Sequence, residues 1–423
     1  MKVCELIEYI NGGRLDDIIE KVYVDKDVLD KQKSRYIESL KKYVNIFGDD
    51  DVEIYSTPGR SEVCGNHTDH QKGMVIASSI NLDAIAIVSR KDDCIRIQSD
   101  DYPIEEINLN DISDKKEYGT TKALIKGVIA GLKDKGYKIG GFNAYVTSDV
   151  LVGAGMSSSA AFEGLIGTII SGLYNNMSID STEIAKVGQY AENVYFGKPC
   201  GLMDQMACSV GGLVYIDFED KEKPVIKKIE CDFEKAGLSL CIVDTKGSHA
   251  DLTDDYAAIP AEMKSVAGIF GKEYLREVDE EEFYASIDKV KEAVSDRAVL
   301  RSIHFFEEES RVLAMAEALE KNDYEKFLNV VEESGMSSMI NLQNIYSSKN
   351  PLVQSVGVAI SLSKVILKGK GVCRVHGGGF AGTIQAFVTN DYVDTYKNRI
   401  EKVFGDGSCH VLKVRPYGGI KII

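Results

Sequence analysis

Apolar residues recur at helical spacing through the first fifty positions, where Tyr36, Ile37, Leu40, Tyr43 and Val44 fall in register before Gly48 and the acidic turn Asp49-Asp50-Asp51. This segment reads as a polar helical cap. From Val52 to Ser148 the pattern turns to strands, at Ile54–Thr57, Ala84–Ser89, Ile95–Ser99 and Asn143–Thr147, with one helix between them, Thr121–Lys135, stopped by Gly136. Helices follow at Ser157–Tyr174 and Thr182–Phe196, then a strand at Leu213–Asp217. A lysine- and glutamate-rich stretch, 219–228, reads as a linker or a hairpin and puts the domain division there, 1–220 against 221–423. Beyond it lie a strand at Leu238–Asp244 and helices near Asp255–Phe270, Glu307–Lys321, Tyr324–Ser334 and Pro351–Leu367. The chain finishes as strand, glycine turn, strand, helix and strand between Val372 and Val414.

Composition narrows the partners. Fifty basic against 66 acidic residues give a formal charge of −16, which disfavours nucleic acid and anionic membrane as partners. No apolar run is long enough to span a bilayer, and the start, Met1-Lys2-Val3-Cys4-Glu5, has acids where a signal peptide would be apolar. The nine cysteines are scattered with no CxxC pair, as expected of reduced thiols. A cytoplasmic monomer is the expectation.

Residues 153–161, Gly153-Ala154-Gly155-Met156-Ser157-Ser158-Ser159-Ala160-Ala161, carry the strongest chemical signal. Glycines let backbone N–H groups approach an anion, the following helix offers unpaired N-terminal donors, and serine hydroxyls reach phosphate or its magnesium. Glycine and serine also make ordinary turns, but this loop stands between a strand and a helix, as phosphate binding requires. No Walker A loop and no HRD or DFG element is present, so the two commonest phosphoryl-transfer architectures are unsupported.

Two further glycine-containing segments flank that loop, Pro58-Gly59-Arg60-Ser61-Glu62-Val63-Cys64-Gly65-Asn66-His67-Thr68-Asp69-His70 and Arg374-Val375-His376-Gly377-Gly378-Gly379-Phe380-Ala381-Gly382. Three such motifs in this order resemble those of the GHMP small-molecule kinases. The first is similar to the galactokinase signature GRxNLIGEHTDY, and Cys200-Gly201-Leu202-Met203-Asp204-Gln205 is similar to the galactokinase segment CGIMDQ. The resemblance spans about Gly48 to Val388. It implies an α+β GHMP kinase fold, an N-terminal ribosomal-protein-S5-like domain and a C-terminal ferredoxin-like domain with the active site between them.

It also implies roles. Asp204 would face the sugar C1 hydroxyl as base or orienting group, and Arg60 would stand beside it and the γ-phosphate. Gly153, Gly155, Ser157, Ser158 and Ser159 would bind ATP, while Glu192, in a segment similar to AEHxFxG, would hold magnesium with Ser159. Asn66, His67, Asp69, Gly201 and Tyr256 would bind the sugar. From position alone Asp204 could equally cap a helix, Glu192 could be solvated and Tyr256 could be packing. The chain departs from the pattern at Asn66 (usually glutamate), His70 (tyrosine), Cys64 (isoleucine) and Leu151 (proline), and no arginines directly follow Tyr256. Galactose is therefore the first expectation, with galacturonate, arabinose or N-acetylgalactosamine as alternatives and a catalytically weak sugar sensor as the non-enzyme reading. A zinc hydrolase built on His67-Thr68-Asp69-His70 lacks a second paired histidine motif.

Overall fold

The computed structural model describes residues 1–113, 117–151, 155–247 and 252–423. Three helices open the chain, α1 (Val3–Asn11), α2 (Asp16–Tyr23) and α3 (Leu29–Phe47). Their apolar stripe, including Leu6, Ile10, Ile19, Tyr36, Leu40 and Tyr43, packs on Ile54, Ile85, Ile87 and Tyr145 of the first sheet. The cap is thus a docked layer, fixed by burial of one helix face.

The first sheet is built from β1 (Glu53–Cys64), β2 (Met74–Lys91), β3 (Cys94–Ser99), β4 (Glu105–Asn108), β5 (Gly141–Ser148), β6 (Leu213–Asp217) and β7 (Val225–Ile229). The second holds β8 (Leu238–Asp244), β9 (Gly371–Val375), β10 (Thr383–Thr389) and β11 (Cys409–Leu412), in the order β11-β8-β10-β9 and antiparallel throughout. A last short strand, β12 (Ile420–Lys421), returns to pair with β1. The stretch 219–228, read as linker or hairpin, is the turn and part of the second strand of the β6–β7 hairpin.

On the sheet face opposite the cap lie α4 (Thr121–Asp134), α5 (Ser158–Asn175) and α6 (Ser181–Tyr190), followed by the short α7 (Met203–Val210). Caps start these helices where the sequence supplies them: the Ala123 N–H donates to Thr120 Oγ1 at 3.2 Å, and the Thr182 N–H to Asp180 Oδ1 at 2.8 Å. Beyond the hairpin come α8 (Thr253–Ile269), the short α9 (Glu280–Ala285) and α10 (Ile287–Ala293), the 25-residue α11 (Asp296–Glu320), α12 (Tyr324–Ser337), α13 (Ser355–Leu367) and α14 (Val393–Phe404). Side chains of β2, α11, α12, β8 and β10 share one core, with Val312, Phe327, Leu240 and Phe387 in contact, so the two sheets are joined through packed apolar side chains. No helix among the described residues is long and apolar enough to cross a membrane.

Candidate active site

A cavity of about 720 Å³ opens where the first sheet, α5, α7, α8 and the glycine turn after β9 converge. Its walls include Arg60, His67, Asp69, Gly155, Ser157, Ser158, Ser159, Gly201, Asp204 and Tyr256, so ten residues expected from separate motifs meet in one space. Gly153 lies outside the described residues.

Strand β1 delivers Arg60. Gly59 before it has no room for a side chain: a Cβ there would lie 2.7 Å from the Met156 carbonyl oxygen and 2.9 Å from Val150 Cγ1. The glycine lets the strand lie against Val150 and Met156, and the Arg60 N–H donates to the Met156 carbonyl at 3.1 Å. The Arg60 guanidinium, buried, donates from Nε to Asp204 Oδ1 and from Nη2 to Asp204 Oδ2, both at 2.7 Å, and from Nη1 to the Gly155 carbonyl. Such a two-pronged pair fixes the carboxylate in orientation as well as position.

Asp204 stands in the first turn of α7, where the Ser157 hydroxyl also donates to it. Burial pushes its carboxyl up, but Arg60 and Ser157 outweigh burial and hold it below its ordinary value. It is therefore a weak base. Ser157 caps α5 with φ of +58°, a left-handed conformation uncommon outside glycine, and leads into the N-terminal donors of an 18-residue helix at Ser158 and Ser159.

Ser159 Oγ donates to Glu192 Oε1 at 3.3 Å. Glu192 lies in a π-helical turn, Ala191–Phe196, and also accepts from Lys198 Nζ at 3.2 Å and Gln205 Nε2 at 2.8 Å. Nearby Glu163 is fully buried with Oε1 unpartnered, and burial with the Glu192 charge raises its pKa strongly. One carboxylate and one hydroxyl, beside a second carboxyl with an orphaned oxygen, suit a hard divalent cation that takes its remaining oxygens from phosphate and water.

At the far side, a side chain on Gly201 would collide with the Asp69 carboxylate. Burial, then the Asp204 charge, raise Asp69 to about 6. His67, at φ of +61°, donates from Nε2 to the Gly378 carbonyl at 3.0 Å, and burial lowers it to about 4, so the ring is neutral. Tyr256 donates to the Gly379 carbonyl at 2.9 Å and stacks edge-on against Phe380. Its phenol is pushed up to about 12 by burial. The zinc reading of the histidines finds no group of three or more His, Cys, Asp or Glu side chains poised for a metal among the described residues.

Asn66 sits differently from the other expected residues. It was expected on the sugar-facing wall, yet it is fully buried behind it and does not line the cavity. Its Nδ2 donates to Glu62 Oε1 at 2.9 Å and to the Gly377 carbonyl at 2.7 Å, and its Oδ1 accepts from Asn344 Nδ2 at 2.8 Å. Glu62 lines the cavity instead, with Oε1 accepting from Arg374 Nη2 at 2.9 Å. Burial raises Glu62 to about 7 even though Arg374 pulls the other way. Against GRxNLIGEHTDY, position 62 carries glutamate where the motif has asparagine, and position 66 carries asparagine where it has glutamate. Carboxylate and amide have exchanged places while remaining hydrogen-bonded to each other.

Three more residues line the cavity, two of which, Lys221 and Lys264, the sequence did not mark. His70 is half-buried with its Nε2 shielded and unpartnered, and Lys221 and Lys264 line the wall near Asp69 and His70. Both lysines lie over the Tyr274 ring, at 4.3 and 4.7 Å from its centroid. The departure at His70 was legible in the motif; the lysines sit on unremarkable polar segments and carried no signal.

The chain is similar to known proteins over most of its length. The family of GHMP kinases N terminal domains matches over residues 123–212, and the galactokinase galactose-binding signature over residues 41–90. A galactokinase of Clostridium tetani is 30% identical over 378 residues, 86% of this chain and 91% of that protein, and a galactokinase of Streptomyces coelicolor is 29% identical over 372 residues, 86% and 92% of the two chains. The structure of Lactococcus lactis galactokinase complexed with galactose superposes with a TM-score of 0.79 at 24% identity, over 90% of this chain and 98% of that one. A mevalonate kinase structure superposes with a TM-score of 0.60 at 18% identity, over 86% and 99%. An Arg60–Asp204 pair at a serine-rich helix N-terminus, on this fold and with these relatives, means that the chain belongs to the galactokinase family of the GHMP kinases.

Proposed function

We propose that this protein transfers the γ-phosphoryl group of ATP to the C1 hydroxyl of galactose. The observation that carries the reading is the two-pronged Arg60–Asp204 pair beside the N-terminus of α5. Phosphoryl transfer runs through a loose transition state, so positioning and charge neutralisation matter more than a strong base. Asp204, held ionised, accepts a hydrogen bond from the C1 hydroxyl and aims its oxygen; as the new P–O bond forms, the bond from the γ-phosphorus to the bridging oxygen breaks, ADP leaves with that electron pair, and the hydroxyl proton passes to the Asp204 carboxylate. Arg60, bound to Asp204 on one side and to the loop carbonyl of Gly155 on the other, neutralises charge on the moving group. The N–H donors of Ser158 and Ser159 and the Ser157–Ser159 hydroxyls receive the phosphates. Magnesium, held by Ser159 and Glu192, would lower the charge between the phosphates.

Asp69, His67, Gly201 and Tyr256 bind the sugar, with Asp69 as acceptor and the close approach of Gly201 keeping that carboxylate in place. Glu62 supplies the wall position expected of residue 66. We place the chain division between the sheets at 230–237, slightly beyond the composition shift, a reading supported by the pairing of β7 with β6. A second reading, a sugar acid such as galacturonate, is favoured by Lys221 and Lys264 on the cavity wall. ATP-dependent turnover on a panel of free sugars separates the two: galactose as the preferred substrate supports the first, a uronic acid the second, and no turnover on any sugar overturns both.

A further inference from the structure

Helix α3 places Arg35 over the point where β5 leaves the first sheet for the phosphate loop. Its Nη1 lies 2.7 Å from Asp83 Oδ1 and 3.2 Å from Asp149 Oδ2, and its Nη2 donates to the carbonyls of Asp83 at 2.9 Å and Thr147 at 3.2 Å. Asp83, fully buried, also accepts from Tyr23 of α2 at 2.9 Å and pairs with Arg415 of the C-terminal segment at 3.1 Å. Asp149 is pinned from a second side, its N–H donating to the Asp83 carbonyl at 2.9 Å. One guanidinium therefore ties the helical cap to the last described residues before the loop.

The tie continues inward. Val150, next to Asp149, packs against Gly59, and Gly59 in turn lies against Met156 on the loop's return limb. Arg60 follows directly and grips Met156 and Gly155 through hydrogen bonds to their carbonyls. An unbroken series of contacts thus runs from Arg35 through Asp149, Val150 and Gly59 to Arg60. A buried guanidinium that bridges two carboxylates and two carbonyls has little freedom to shift, so it transmits position well.

We propose that the N-terminal helical cap is a brace for the phosphate loop, with Arg35 as the positioning residue that sets Asp149 and Val150 and, through Gly59, Arg60 and Met156. The geometry distinguishes this from simple cap adhesion, because the apolar face of the cap, with Leu40 and Tyr43, also docks on Ile87 and Tyr145 of the sheet, farther along β5 from the loop. The proposal rests on the nucleotide site and not on which sugar is used.

Binding measured without turnover tests it. Calorimetric titration with a non-hydrolysable ATP analogue is expected to show roughly 10-fold weaker binding in Arg35→Met and in Asp149→Asn, since a displaced anchor misaligns several phosphate donors at once. Galactose binding in the same variants stays within about two-fold of wild type, the split that a merely structural role would not produce. Lys33→Gln, which removes only the Lys33–Asp16 pair inside the cap, leaves both affinities unchanged. Asp149→Asn keeps the Arg35–Asp83 bond and therefore decides the matter if Arg35→Met does not fold. Nucleotide affinity within about two-fold of wild type in Asp149→Asn, or equal loss of nucleotide and sugar binding, overturns the proposal.

Discussion

Restoring the family's order at positions 62 and 66 is the most informative perturbation. In Glu62→Asn the shorter amide withdraws the carboxylate from Arg374 Nη2, 2.9 Å away, and leaves a fully buried guanidinium without its counter-charge. Breaking a buried pair on one side costs about 3–5 kcal/mol. In Asn66→Glu a second carboxylate is forced beside Glu62 and against the Gly377 carbonyl, which the Asn66 amide now satisfies at 2.7 Å. That single change also destabilises. In the double variant the carboxylate at 66 meets donors already in place, Asn344 Nδ2 and Ser338 Oγ, and an amide at 62 can donate to it. Urea denaturation of the four proteins is expected to give a coupling of at least ~1.5 kcal/mol in favour of the double variant, within the range seen for contacting residues. Kinetics supply the functional half. Because Glu62 and not Asn66 lines the cavity, Glu62→Asn shifts kcat/KM from galactose towards galacturonate by about 10-fold or more, the worth of a charge-assisted bond, while Asn66→Glu alone does not restore galactose preference. Additive stabilities within about 0.5 kcal/mol, or unchanged selectivity in Glu62→Asn, would refute the assignment.

Arg60→Ala should depress kcat at least ~100-fold while the sugar KM moves far less, because its charge matters most in the transition state; a change confined to KM contradicts this. Glu192→Ala should raise the magnesium concentration needed for half-maximal activity, and an unaltered metal dependence removes Glu192 from the metal site. Burial and the Asp204 charge push the Asp69 carboxyl up to about 6, and the ionised form makes the stronger, charge-assisted bonds to sugar hydroxyls, so kcat/KM for the sugar is expected to fall as pH drops through about 6. Asp69→Asn should lack that acidic limb, and a limb that persists in the variant assigns it to another group.

Much of this site could be spelled from the chain because three motifs each keep their reacting residues adjacent in sequence. What spelling could not give is the direction of each side chain. Register shifts in β1, between Pro58 and Arg60 and between Glu62 and Cys64, break the two-residue alternation, so which of positions 62 and 66 faces the cavity was not readable from spacing. The expected helix at Glu307–Lys321 in fact begins at Asp296. Its first turns hide Arg301, Ser302 and His304, polar residues that blur the apolar period, yet Arg301 pairs with Glu262 at 2.9 Å and His304 donates to the Asn66 carbonyl at 2.8 Å. Helix α7 was passed over since its eight residues overlap the motif at Asp204 and are too few to establish a period. Arg35 looked like one more charge on a polar helix; its role comes from Asp83 and Asp149, far away in sequence.

The central claim is that Arg60 and Asp204 direct ATP's γ-phosphoryl group to the C1 hydroxyl of galactose. Phosphorus NMR of a reaction holding ATP, magnesium and galactose tests it most directly. Wild-type protein is expected to yield one ADP for each galactose 1-phosphate, and Asp204→Asn neither product, although that variant still binds a non-hydrolysable ATP analogue. Phosphate on a different hydroxyl, or near wild-type turnover in Asp204→Asn, would contradict it.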